Sequence, residues 1–226
     1  MTSTSTYAFN PAASNLMLTA FGRIGIRAPE ITAQHMADAE NEANLLQVKL
    51  SNKQPNLWTD ELYSQALTAS TATYALNARL IAIQAAYIND GSTDRLIYPY
   101  STYEYSAIPD KTQEGPPTAY WYNRQITPEI TLWPVPDSAA TYTLKLRVCR
   151  QIQDVSLKSG YTLDLPYRWL DVYVAELAHR MSRIYAPQLE APRKADADEA
   201  WTIAATEDKE DVPLIFGMSM SGYWGG

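Results

Sequence analysis

Cysteine pairs, basic runs and long apolar segments are all missing from this sequence of 226 residues. The single cysteine, Cys149, excludes an intramolecular disulfide, which fits a reducing compartment. No apolar run approaches the roughly 20 residues that a bilayer-spanning helix needs. The first 15 residues also lack the basic and apolar regions of a signal peptide. We therefore expect a protein that is made in the cytoplasm and has no membrane segment.

Positive charge is outweighed by negative charge. The chain carries 18 Lys and Arg against 25 Asp and Glu, which gives a net charge of −7. Nucleic-acid-binding proteins draw most of their affinity from neutralising phosphates. An acidic chain without a basic run is therefore not expected to bind DNA tightly. An acidic channel wall would instead repel the phosphates and allow DNA to pass through the channel without binding.

Signatures of catalysis and metal binding are absent. There is no HExxH, P-loop, GxGxxG or GxSxG motif. His35 and His179 have no partner at metal-ligand spacing, so we interpret both as surface or structural residues. Cys149 would need a His or another base beside it to act as a nucleophile. Asp38 and Glu42 are too small a set for a cation site, so we interpret them as a solvated helix face. We predict no catalytic residue, no cofactor and no metal, and hence not an enzyme.

Helical periodicity marks both ends of the chain. Apolar residues recur every three or four positions in three segments, which predicts amphipathic helices. The first two are expected to start at Asn10-Pro11 and at Thr32. A last helix, Ala191 to Lys209, has a thin apolar side. The predicted core positions are Leu16, Met17, Ala20, Phe21, Ile24, Met36, Ala39, Ala43, Leu46, Leu50, Leu170, Val174, Leu177, Met181, Ile184, Ala197, Trp201, Ala204 and Ala205.

The middle of the chain predicts short strands. Tyr142 to Arg150 alternates most clearly, with Tyr142, Leu144, Leu146 and Val148 on one face. The connections look too short for helical crossovers, so we expect an antiparallel meander. The predicted strands are Leu80–Ile88, Leu96–Tyr98, Thr118–Arg124, Glu129–Trp133 and Tyr142–Arg150, with one helical turn at Thr102–Ala107.

These patterns together predict the α+β class. Helices from the N- and C-terminal parts form one discontinuous bundle, and an antiparallel β-sheet module is inserted between them. The expected divisions are residues 10–58 and 164–210 for the bundle, 62–155 for the β-module, and 211–226 for an extended C-terminal arm.

The C-terminal arm, residues 211–226, carries more apolar surface than a free solvated terminus usually does. Its glycines keep it pliable. From the residues alone, two interpretations stay open: the arm folds back on its own domain, or it lies along a groove of a partner. The candidate contact residues are Leu214, Ile215, Phe216, Met218, Met220, Tyr223 and Trp224.

The chain is rich in aromatic residues with polar tips, with 16 tyrosines and 6 tryptophans. Such residues favour interfaces and sugar-binding surfaces. The segments YPYSTYEY and AYWY could therefore be a carbohydrate platform. They equally suit strands that pack against their neighbours, which is the interpretation we favour.

Three stretches of distinctive sequence lie in the opening helices, the inserted sheet and the closing helices. They are SNLMLTAFGRIGI with HMADAENEANLLQVKLSNKQPNLWT, IPDKTQEGPPTAYW with LWPVPD, and LPYRWLDVYVAELAHRMSRIYAPQ. In their sequence and order, these stretches resemble the head-to-tail adaptor proteins of short-tailed (podovirus) phages, also called connector or tail tubular A-like proteins.

The resemblance implies a virion structural protein of the neck and tail. It implies a dodecameric ring that binds the portal protein above and tail or nozzle proteins below. Genomic DNA would pass through the ring without specific binding, and the C-terminal arm would bind the portal or a neighbouring subunit. The alternatives are another neck protein (a head-completion plug or tail-tube terminator) and, from a different class, a carbohydrate-binding module.

Overall fold

A computed structural model describes residues 9–53, 57–158 and 160–208. Within these ranges, helices from both ends of the chain flank a sheet, which confirms the α+β class. The helices are α1 (Ala13–Arg23), α2 (Ala33–Lys53), α3 (Thr102–Ala107), α4 (Leu170–Tyr185) and α5 (Glu190–Glu207). The strands are β1 (Asp60–Ala66), β2 (Thr73–Ala75), β3 (Leu80–Asn89), β4 (Asp94–Tyr100), β5 (Ala119–Asn123), β6 (Glu129–Trp133) and β7 (Thr143–Arg150).

Helix α4 is the centre of the bundle, because α1, α2 and α5 all pack against it. Its residue Leu177 is completely buried, as the helical spacing predicts, and so is Tyr173 beside it on the same face. The prediction for Ile184 is wrong, since its side chain is 48% exposed. At that end of α4, Tyr185 takes the inward position instead and packs against the rings of Phe21 and His35.

The two predicted helix starts have different outcomes. Helix α1 begins at Ala13 rather than at Asn10-Pro11. The Ala13 amide donates to the carbonyl of Tyr161, so a tertiary contact replaces a side-chain cap. Thr32 is confirmed as a cap, because its Oγ1 accepts a hydrogen bond from the His35 amide. The Thr32 amide in turn donates to Nδ1 of His35, at 3.1 Å.

The strands form one sheet in the order β1-β7-β3-β4-β5-β6-β2. The prediction of an antiparallel meander is wrong in two respects. Strand β7 pairs with β1 and β3 rather than with β6, the strand before it in the chain, and strands β4 and β5 are parallel. The connection between them carries α3 and is long enough to return the chain to the same end of the sheet. Strands β1 and β2, which the sequence pattern does not predict, lie at the two edges of the sheet.

The sheet has an apolar core of its own. The inward face of β7 is buried at Leu144, Leu146 and Val148, as the alternation predicts. On the neighbouring strand, Ile88 lies opposite Leu144 and Ala86 opposite Leu146, so aliphatic side chains meet across β3 and β7. The molecule therefore has two apolar clusters, one in the bundle and one beneath the sheet.

Polar residues of α2 join the two parts of the molecule. After β7, the chain runs along α2, where Ser51, Asn44 and Glu40 accept hydrogen bonds from its amides at Ile152, Val155 and Leu157. The spacing of seven and four places these three side chains along one side of the helix. Side chains on α2 thus accept hydrogen bonds from the backbone amides of a segment that has no strand partner.

Candidate partner-binding surfaces

The predicted contact residues of the C-terminal arm, Leu214 to Trp224, lie outside the described residues. The structure does fix the point from which the arm leaves. Asp208 is buried, and Nη2 of Arg168 lies 2.6 Å from its Oδ1. Arg168 lies in the 3-10 turn Tyr167–Trp169 that leads into α4, so the end of α5 is tied to the start of the central helix. The arm therefore starts from a fixed anchor on the bundle.

A cluster of three tryptophans packs around the start of α4. Trp169 lies between Trp58 and Trp201, with ring centroids 5.1 and 5.0 Å away. The Lys53 ammonium lies 3.3 Å from the ring centroid of Trp201, a cation–π contact. Burial lowers the pKa of Lys53. This cluster connects the end of α2, the entry to β1 and helix α5 through one buried side chain.

An open groove of about 670 Å³ lies at the C-terminal end of α1. Its lining combines apolar side chains, such as Leu18, Ile26 and Pro29, with Arg23 and Arg27. This volume falls in the range of small-ligand sites, about 300–1,000 Å³. The groove is therefore large enough to take several side chains of a peptide segment.

Two glycines shape this groove. Helix α1 ends at Arg23, and two residues later Gly25, with a φ of 91°, lets the Ile26 amide donate to the carbonyl of Phe21. That turn brings Ile26 back towards the end of the helix. A Cβ placed on Gly22 would meet only open space, so the missing side chain keeps the groove open.

A second surface is an uncharged row on α2. Leu45 and Val48 are exposed there, and Asn41 and Ala37 continue the same side of the helix. Helical periodicity alone does not mark this row, because periodicity reports the buried side of the helix. The signal that could have revealed it is the lack of charge at four positions spaced by four, four and three. Such a row is typical of a protein contact, because charged residues are depleted at interface centres.

Aromatic residues of the sheet are largely used in internal packing. Trp121 stacks on Tyr105 of α3, with ring planes 10° apart and centroids 5.2 Å apart. The indole Nε1 of Trp133 donates to the carbonyl of Asp110. The segment around α3 therefore covers both tryptophans, although Tyr98 and Tyr103 stay exposed. This arrangement favours packing over a carbohydrate platform.

The candidate chemical residues lie far apart in the fold. Cys149 is buried in β7, where Nε2 of Gln84 lies 2.8 Å from its Sγ, and burial raises the pKa of the thiol. Both histidines lie in the helical bundle. The structure thus brings no imidazole beside the thiol, as a thiolate nucleophile would require.

Asp38 and Glu42 are not a solvated helix face, because both contact side chains of α4. Asp38 accepts a hydrogen bond from the Tyr185 hydroxyl, and Glu42 pairs with Arg180 at 2.9 Å. Burial and the contact with Asp38 raise the pKa of Tyr185 to about 12. Across the described ranges, no group of three or more His, Cys, Asp and Glu side chains is arranged to hold a metal ion. None of the described helices has the length and hydropathy of a membrane span.

His179 is a buried structural residue of α4. Its Nε2 lies 3.3 Å from the guanidinium of Arg183, which can only donate, so the imidazole accepts and is neutral. Burial lowers the pKa of His179 below its ordinary value of 6.5, and the charge of Arg183 lowers it further. Glu176 and Glu190 act in the opposite direction.

We expect this histidine to make the fold less stable in mild acid. Below about pH 6.5 the unfolded chain takes up a proton that the folded chain still excludes, so the free energy of unfolding falls as the pH falls. Urea denaturation at about pH 7.5 and about pH 5.5 measures the loss. His179→Gln, which cannot titrate, should lose less stability over the same interval. An equal loss in both proteins would contradict this assignment.

Comparison with known proteins gives one family. The family model described as SU10 adaptor protein matches residues 11–214, which include all the described helices and strands. No curated protein matches the chain. The match ends at Leu214, the first candidate contact residue of the arm, so most of the arm lies outside the family pattern.

Proposed function

The chain belongs to the SU10 adaptor protein family and is a phage structural adaptor, and from this premise we propose that it joins the portal to the tail. In this proposal copies of the chain form a ring, with twelve subunits by the resemblance, through which the genome passes. The family match over residues 11–214 carries the proposal, because it covers both the bundle and the sheet.

A closed ring requires one face of each subunit to meet a different face of the next. The uncharged row on α2 around Leu45 and Val48 suits one of these faces, because it exposes apolar surface without charge. The net charge of −7 keeps free copies apart until the portal brings them together. The same acidic character suits a wall past which DNA moves without being held.

The arm supplies the second contact. Its seven apolar and aromatic residues, Leu214, Ile215, Phe216, Met218, Met220, Tyr223 and Trp224, are proposed to bind the portal. Aromatic anchors commonly dominate the binding energy of an interface. The family pattern ends at Leu214, so most of the arm is not shared across the family. In this proposal the arm therefore makes the contacts that are specific to the portal of its own phage.

Electron microscopy of negatively stained particles tests the proposal. The purified chain is imaged alone and mixed with its portal, and light scattering gives the mass in each sample. We expect rings stacked on the portal in the mixture. If the chain stays monomeric beside the portal, the proposal is wrong. Co-purification with tail-tube protein instead of portal would indicate a tube terminator or a plug.

A further inference from the structure

We infer that in the free subunit the C-terminal arm lies in the groove at the end of α1 of its own chain. The inference deepens the proposed function and rests on it, because the same arm is proposed to bind the portal. The groove would then hold the arm until the portal replaces it. Three observations carry this assignment, namely chemical complementarity, the position of the exit and the reach of the arm.

The groove and the arm have complementary chemistry. The groove combines apolar side chains with Arg23 and Arg27. Within the described ranges, Arg27 makes no ion pair with a carboxylate, and the partner of Arg23, Asp171, is a mostly exposed side chain. The arm region has the matching order, with Glu210 and Asp211 followed closely by Leu-Ile-Phe at 214–216. Its acidic residues would meet the arginines, while its apolar residues would cover Leu18 and Ile26.

The exit of the arm lies near the groove. Asp208 pairs with Arg168, and Arg23 pairs with Asp171, which is one helical turn further along the chain. A hollow between α1, α4 and α5 is lined by the exposed Ile203 of α5 and by charged side chains of both signs, namely Arg23, Asp171, Arg193, Asp196 and Glu199. An arm that passes over Ile203 therefore reaches Arg23 directly.

The length of the arm is sufficient, and the tether favours its own groove. Ten extended residues after Asp208 span about 33 Å. A short flexible link gives an effective concentration in the millimolar range. The arm of a second copy, present only at low concentration, cannot compete with this effective concentration. In the free subunit the groove is therefore occupied by the arm of the same chain.

Disulfide trapping tests the inference directly. Thr19 lines the groove, and Thr19→Cys is combined with Phe216→Cys in the full chain. The matched control combines Phe216→Cys with Ile126→Cys, a position 96% exposed in the turn between β5 and β6. We expect at least fivefold more intramolecular disulfide in the groove pair than in the control. Equal trapping, or disulfides only between chains, would overturn the inference.

A groove-filling substitution gives a second measurement. Gly22→Leu places a side chain in the open space above α1 without removing a contact. It should reduce the intramolecular disulfide of the groove pair several-fold. It should also speed hydrogen exchange in residues 24–30, as removal of the arm should, while residues 43–50 stay unchanged. If neither readout moves, the groove does not hold the arm.

These outcomes separate the inference from the proposed function. If the arm is needed for portal capture but is not trapped at Thr19, the inference fails and the function stands. If the arm is trapped but the portal captures a truncated chain equally well, the anchoring role fails and the inference stands. Gly22→Leu is expected to bind the portal at least as tightly as the native chain, because it frees the arm in advance.

Discussion

Removal of residues Leu214 to Gly226 is expected to abolish capture of the chain by the portal while the monomer stays folded. The deleted residues are the proposed anchors, and a hot-spot side chain is typically worth about 2 kcal/mol or more. The loss of several such anchors should raise the dissociation constant of the complex with the portal by at least about 100-fold. Binding of the truncated chain to immobilised portal measures the change, and circular dichroism confirms that the fold is retained.

A pair of double substitutions is the matched control for the truncation. Phe216→Ala with Trp224→Ala removes two aromatic anchors, whereas Ser219→Ala with Ser221→Ala changes the same segment without removing apolar surface. We expect the first pair to reproduce most of the loss and the second pair to bind normally. Undiminished capture of the truncated chain would show that the arm does not anchor the adaptor.

The helices could be predicted well from the sequence because their signal is local. The apolar residues of α1, α2 and α4 repeat at the helical period, and most of these residues are buried. The prediction fails at Ile184, where the helix ends and Tyr185 takes the inward position. At a terminus the packing partner, rather than the period, decides which side chain is covered.

The sheet shows the limit of local signals. Strand β7 could be predicted because its inward face is uniformly apolar. Strand β1 is paired with β7, almost ninety residues away. Its less exposed positions include Glu61, Tyr63 and Gln65, whereas Leu62 is exposed, so its alternation does not mark an apolar face. The parallel pairing of β4 with β5 likewise depends on the path of the connection through α3, which periodicity does not encode.

The arm and the groove also differ in whether the sequence alone predicts them. The arm could be predicted because its composition is unusual for a terminus. The groove could not, because it depends on Gly22, Gly25 and Ile26 meeting at a helix end with a positive φ. Asp38 and Glu42 were misinterpreted for a related reason, since their partners Tyr185 and Arg180 lie on another helix.

Trp169→Ala is expected to destabilise the fold more than other single substitutions in the bundle. The side chain is 1% exposed and packs between two other tryptophans. Replacing a buried Trp by Ala typically costs about 3–5 kcal/mol, because the surroundings relax only partly into the cavity. That is a large share of the roughly 5–15 kcal/mol by which domains are stable.

Tyr167 provides the control, because it lies two residues earlier in the same 3-10 turn and is 77% exposed. Tyr167→Ala should change the free energy of unfolding by no more than about 0.5 kcal/mol. Urea denaturation of both variants measures the contrast. Trp58 lies in the 3-10 turn that leads into β1, and Trp201 belongs to α5. The loss of Trp169 should therefore also loosen the sheet from the bundle. Near-equal stability of the two variants would mean that the tryptophan cluster does not join these parts, and that the hydrogen bonds from α2 to the segment after β7 hold them together instead.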